Sequence, residues 1–184
     1  MEQSIKLLRV KDDIAVNAKI LTLTDKHLDD FETFWRSRLQ ASDEEDGHWN
    51  WIEKNQVALL SSDYEKYAIE CEQITQGLMM LEVSNHYSRK NLGQKQKIVY
   101  VDFLSSAPWN RISLKNPPDY KGVGSTLLFF AKERSEQLGY EGRVGLHALP
   151  KAEIFYQKKG MINFGIDTKK EDLVYFEWLK NLEE

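Results

Sequence analysis

"DYKGVGSTLLFFAKERS", Asp119 to Ser135, sets two glycines one residue apart at the head of a long amphipathic stretch. Glycine is a poor helix former, so its place at a helix start needs a reason. Without a Cβ it lets the backbone turn tightly and lets another molecule come close. A helix start also presents N–H groups with no intrahelical partner and the positive end of the helix dipole. Together these features point to an anion held against the first turn. Two familiar phosphate motifs do not fit. A Walker loop needs Gly-x-x-x-x-Gly-Lys followed by Ser or Thr. A dinucleotide fingerprint needs Gly-x-Gly-x-x-Gly, and Leu127 stands at its third glycine. On its own, Gly-x-Gly also fits a tight turn that holds nothing.

The flanking segments give the stretch its context. Upstream, "KIVYVDFLSS" (Lys97–Ser106) is the strongest strand signal, rich in β-branched and aromatic residues. "APWNRISLKNPPD" (Ala107–Asp119) carries three prolines and reads as an irregular connection. Downstream, a helix runs from about Val123 to Leu138, with Gly139 as its C-cap. A strand at Arg143–Leu149 follows, then a short helix over Pro150–Gly160 with proline at its start and glycine at its end. Two strands finish the chain, near Met161–Ile166 and Leu173–Leu179. Earlier come a strand at Ser4–Val10 and a helix at Leu23–Ala41. That helix has Thr24 as N-cap and Leu28, Phe31, Phe34, Trp35 and Leu39 at helical spacing. A shorter helix around Trp49–Leu60 and strands at Lys66–Gln73 and Gly77–Ser84 complete the pattern.

The bulk properties narrow the class. A chain of 184 residues suits one domain with a real core. The net charge of −4 disfavours a nucleic-acid footprint. Cys71 is the single cysteine, so no internal disulfide forms, and with four histidines a structural zinc cluster is not expected. The start lacks the apolar run of a signal peptide. No stretch approaches the roughly 18–20 apolar residues of a membrane span. The expectation is a cytoplasmic protein with no metal, no nucleic-acid partner and no membrane partner. A homodimer is compatible with it.

The order strand, glycine loop, long helix, strand, then "AEIFYQKKGM" resembles the GCN5-related N-acetyltransferase (GNAT) superfamily. The resemblance covers most of the chain and is most specific from about Tyr100 to Gly165. In that family a Gln/Arg-x-x-Gly-x-Gly/Ala loop wraps the pyrophosphate of acetyl-coenzyme A. Gly122 and Gly124 match its glycines, and Asp119 stands where Gln or Arg is usual. Ala152, Tyr156 and Gly160 match a later family element, with Met161 in place of Phe. The resemblance implies an α/β (α+β) fold with a mixed, mostly antiparallel central sheet and helices on both faces. It also implies acetyl-CoA as cosubstrate and an amine of a small molecule or protein as acceptor. A non-catalytic module that keeps the fold and the coenzyme is the alternative. A third reading, acetylation of aminoacyl-tRNA, is disfavoured by the negative charge.

The resemblance also distributes roles. Lys121, Gly122, Val123, Gly124 and Ser125 hold the diphosphate. The backbone of Phe103, Leu104 and Ser105 meets the thioester carbonyl. Tyr156 donates a proton to the leaving sulfur, or else only packs. From the residues themselves, Asp102 is a carboxylate in an apolar run, costly to bury unpaired, and serves as base or anchor or pairs with an arginine. His147 titrates near neutrality and is a candidate base or a structural residue. Glu70 and Glu82 are weaker candidates. Trp109, Asn110 and Arg111 form an acceptor-side contact or an anchored surface loop, and Trp49 and Trp51 border that region or pack.

Overall fold

Period-two alternation builds a strand where the sequence reading names no element. In Ile14–Thr22, Ala18 and Ile20 are buried while Asn17 and Lys19 are exposed. The computed structural model describes residues 1–90, 93 and 95–179. They fall into two units, residues 1–80 with 103–127, and the described residues of 81–102 with 128–179.

In the first unit, β1 (Glu2–Arg9) and β2 (Ile14–Thr22) pair antiparallel from Glu2↔Leu21 to Arg9↔Ile14. α1 (Asp25–Asp30), a π-helical turn (Phe31–Trp35) and α2 (Arg36–Gln40) follow without a break. Then come α3 (Trp51–Ala58), β3 (Tyr64–Cys71) and β4 (Ile74–Glu82). The end of β5 (Val99–Ser106), β6 (Tyr120–Lys121) and the start of α4 (Val123–Gln137) complete the unit. Its strand order is β6-β1-β2-β3-β4-β5. Glu72 and Gln73, at φ 50° and 65°, form a two-residue turn between β3 and β4. Two successive positive φ values mark the primed turn that matches strand twist. β3 therefore stops at Cys71, short of Gln73, and β4 starts at Ile74 rather than Gly77.

Leu28, Phe31, Trp35 and Leu39 form the buried stripe of the helical run, and they pack with Trp51, Ala68, Leu78, Met80 and Ala107. Phe34 departs from the expected stripe and is 39% exposed. It precedes Trp35 by one residue, about 100° around a helix of 3.6 residues per turn. Leu78 and Met80 thus meet the α1–α3 layer. Gly77 points the other way, as strand neighbours do. A β-carbon on it would lie 2.7 Å from Val123 Cγ1. Helices therefore cover both faces of this sheet.

In the second unit, β5 runs parallel to β7 (Val144–Ala148), from Val99↔Val144 to Val101↔Leu146. α5 (Glu153–Lys158) follows a 3-10 turn at Pro150–Ala152. β8 (Ile162–Asp167) and β9 (Leu173–Trp178) close the chain, with β9 antiparallel to both β7 and β8. The strand order is β4-β5-β7-β9-β8. The arrangement is the mixed, mostly antiparallel sheet with helices that the sequence implies. Tyr175 crosses Gly145 so closely that a β-carbon there would lie 2.4 Å from its hydroxyl and 2.6 Å from Ile98 Cδ1. Gly145→Ala should therefore destabilise the protein by about 1–3 kcal/mol, the usual cost of overpacking. Urea denaturation measures the loss.

Candidate functional site

The glycine stretch folds as a turn into a helix. Gly122 has φ +94°, a value that side chains disfavour, and among the described residues beyond its chain neighbours a β-carbon there would meet only Thr126 Oγ1, at 4.0 Å. The residue is glycine for its backbone angle, and the space beside it is open. Thr126 N–H donates to Gly122 O at 2.8 Å, which begins α4. The N–H groups of Val123, Gly124 and Ser125 precede the first intrahelical bond and face out of the helix start. Lys121 and Gly122 are exposed, Gly124 and Ser125 half-buried, and Val123 buried. Upstream, Asp119 O accepts from Val10 N–H, and Tyr120 pairs with Arg9, so β1 fixes the chain just before the turn. The Asp119 carboxylate is paired with Lys115 at 2.6 Å.

The end of β5 is held by a largely buried ion pair, Asp46 buried and Arg111 nearly so. Arg111 donates to both oxygens of Asp46, at 2.6 and 2.7 Å, and to Glu44 at 2.6 Å. Its Nε donates to Ser106 O, and Ser105 Oγ donates to Asp46 at 2.7 Å. Burial alone would push the Asp46 carboxyl up, but Arg111 and Ser105 outweigh it and hold the group below its ordinary value. Trp109 Nε1 and Asn110 Nδ2 both donate to Gln76 Oε1, and Asn110 Oδ1 accepts from Tyr120 N–H. The segment Trp109–Arg111 is thus anchored inward. Phe103 packs edge-on against Trp49 and Trp51, with ring centroids 4.9 and 6.4 Å away. Leu104 is half-buried beside it.

In the second unit, register decides which candidates share a face. Leu146 pairs with Phe176, and His147 with Tyr175. Tyr156, buried on α5, packs on Phe176 at 6.0 Å. His147 shares its face with Tyr100 and Tyr175, contacting both rings. Tyr156 and His147 therefore lie on opposite faces of this sheet. Both His147 nitrogens are engaged: Nδ1 with the Tyr100 hydroxyl at 2.7 Å, Nε2 with Asp167 at 3.1 Å. Burial pushes the His147 imidazole down, against its hydrogen bond to the Asp167 carboxylate. Arg89 also bonds Asp167 and lies over the Tyr175 ring at 3.8 Å. Asp102 is half-buried, and its charge adds to burial in pushing the Tyr100 hydroxyl up. Glu70 is paired with Lys26, and Glu82 with His86.

The sequence reading missed Arg89 and Asp167, which hold His147, and Asp46, which holds Arg111. Each lies in a polar segment with no motif, far along the chain from its partner. Arg111→Met leaves the Asp46 carboxylate buried without its cation, an arrangement that costs about 3–5 kcal/mol. A double variant, Asp46→Leu with Arg111→Met, should recover most of that loss. Asp46 contributes fully above its unfolded-state value and loses its contribution as pH falls through the depressed folded value. Asp46→Asn should accordingly flatten the acid limb of stability against pH, read by circular dichroism.

No protein-family model and no curated protein matches the chain. Solved structures do. The chain is similar to the N-acetyltransferase YlbP of Bacillus subtilis in complex with coenzyme A, with TM-score 0.52 and 16% identity. That match covers 91% of this chain and 99% of the other. It is similar to the PaiA N-acetyltransferase of Thermoplasma acidophilum in complex with coenzyme A, with TM-score 0.57 and 17% identity, over 87% and 97% of the two chains. A KacTA–DNA complex matches with TM-score 0.56 and 18% identity over 87% and 92%. The chain has the fold of the GCN5-related N-acetyltransferases.

Proposed function

We propose that the protein is an acetyl-CoA-dependent N-acetyltransferase acting on an amine. The observation that carries the reading is the turn at Gly122, whose backbone angle needs glycine and where, among the described residues beyond its chain neighbours, a β-carbon would come no closer than 4.0 Å to another atom. It leads straight into the start of α4, where outward N–H groups and the helix dipole suit a diphosphate. Coenzyme A complexes among proteins of this fold support the ligand.

In this reading, Lys121, Gly122, Val123, Gly124 and Ser125 hold the diphosphate. Backbone N–H groups of Phe103, Leu104 and Ser105 polarise the thioester carbonyl, and so stabilise the charge that develops as the amine attacks. The Asp46–Arg111 pair steadies that strand end through Ser105 and Ser106. Asp102 binds the acceptor ammonium and takes its proton, directly or through a water. The amine nitrogen then bonds the carbonyl carbon, the carbon–sulfur bond breaks, the Tyr156 hydroxyl protonates the thiolate, and the proton that the nitrogen sheds on becoming an amide restores that hydroxyl through solvent. His147 enters this scheme through Tyr100, near Asp102, and not by touching the amine. The non-catalytic alternative rests on Asp119 in the loop, but Lys115 already neutralises that carboxylate.

Calorimetry with acetyl-CoA, followed by thiol release over a panel of amines, tests the reading. A folded chain that does not bind acetyl-CoA at millimolar concentration overturns it. Gly124→Val should weaken coenzyme binding about tenfold or more while circular dichroism stays native. Tyr156→Phe should lower kcat by about 10²–10⁴, the usual worth of one acid–base group, with coenzyme affinity unchanged. An unchanged kcat would leave Tyr156 a packing residue.

A further inference from the structure

A cavity of about 730 Å³ opens within the first unit; Trp109 and Asp119 line it, but none of the residues that hold the diphosphate, meet the thioester or move a proton in the proposed reaction does. Its size falls in the range of about 300–1,000 Å³ typical of small-molecule sites. The body is apolar. Ile74, Pro108 and Trp109 line it, and Phe34 and Leu114 stand at its lip, 39% and 37% exposed. Cys71 adds a neutral wall, because burial pushes its thiol up. Trp109 is fixed, since its indole N–H donates to Gln76 Oε1 at 2.8 Å and its ring meets Trp35 edge-on at 6.1 Å.

The charges around this cavity are unequal. Glu72 accepts from Arg9 at 2.6 Å and from the Tyr120 hydroxyl at 2.8 Å. Asp119 accepts from Lys115 at 2.6 Å. Both carboxylates of the lining are therefore spoken for. Arg38 differs: among the described residues it has no carboxylate partner, and its guanidinium carbon lies 5.6 Å from the centre of the Trp109 ring. An arginine resting on an indole, beside an apolar cavity, offers a fork of donors matched to a carboxylate.

We propose that this cavity binds a small aromatic carboxylate, its planar body against Trp109 and Phe34 and its acid group on Arg38. Indole-3-acetate, indole and tryptamine are the probes, titrated by calorimetry into the intact chain with no coenzyme present. The result therefore stands apart from the acetyl-transfer reading. Indole-3-acetate should bind about tenfold tighter than indole or tryptamine, the difference that charge-assisted hydrogen bonds supply. Arg38→Gln, at an exposed position, should bring the acid down to the affinity of indole. Leu114→Glu, also exposed, should weaken the acid more than indole, by placing a like charge at the lip. The proposal is overturned if the acid does not bind at millimolar concentration, if tryptamine binds as well, or if Arg38→Gln leaves acid affinity unchanged in a natively folded variant.

Discussion

The largely buried pair of Asp46 and Arg111 is the constraint around which the first unit is arranged. It joins three segments distant in sequence: the loop after α2, the end of β5 and the connection that leads to the glycine turn. Two charges taken out of water are tolerated only when nearly every donor and acceptor is used. Here Glu44, Ser105 and the Ser106 carbonyl supply the remaining partners. The long connection between strand and helix is therefore not slack. Gln76 receives Trp109 and Asn110, Asn110 receives the Tyr120 main chain, and Tyr120 joins β1 before the turn at Gly122.

The second unit separates two kinds of chemistry by the pleat of its sheet. Tyr156 lies on the apolar side with Phe176. His147 lies on the other, in a polar set with Tyr100, Asp167 and Arg89. Adjacent strand residues point to opposite faces, so one step in sequence decides between these environments. The buried carboxylate of Glu177 belongs to the polar side, where it accepts from Ser88 Oγ and the Arg89 main chain. That side ties down the segment after β4.

Much of the fold was legible because local and global signals agreed. The helix over Val123–Gln137, the strand ending at Ser106 and the short helix around Tyr156 all stand where periodicity and punctuation put them. β2 carried a period-two signal that lay unassigned between two clearer elements. The hairpin turn at Glu72–Gln73 had no signal at all, since neither residue is a usual choice for positive φ. The glycine loop was legible because a backbone angle restricts residue type. The partners of Arg111 and His147 were not, because ion pairs between distant segments leave no local pattern. Nor does a strand residue announce its face when both of its neighbours are apolar, as around Asp102.

The aromatic layer has a spectroscopic consequence. Trp35, Trp49, Trp51 and Trp109 belong to the first unit, whereas Trp178 alone belongs to the second. Among the buried side-chain atoms described, the Trp35 and Trp51 indole nitrogens find no acceptor, so these rings sit in surroundings of low polarity. Intrinsic fluorescence of the folded protein is accordingly dominated by one unit and blue-shifted there. Far-ultraviolet dichroism sums over the backbone of both. The two signals measured on one sample thus form a built-in comparison: coincident transitions mean that the units unfold as one cooperative system, and a gap between them reads out the difference in their stabilities.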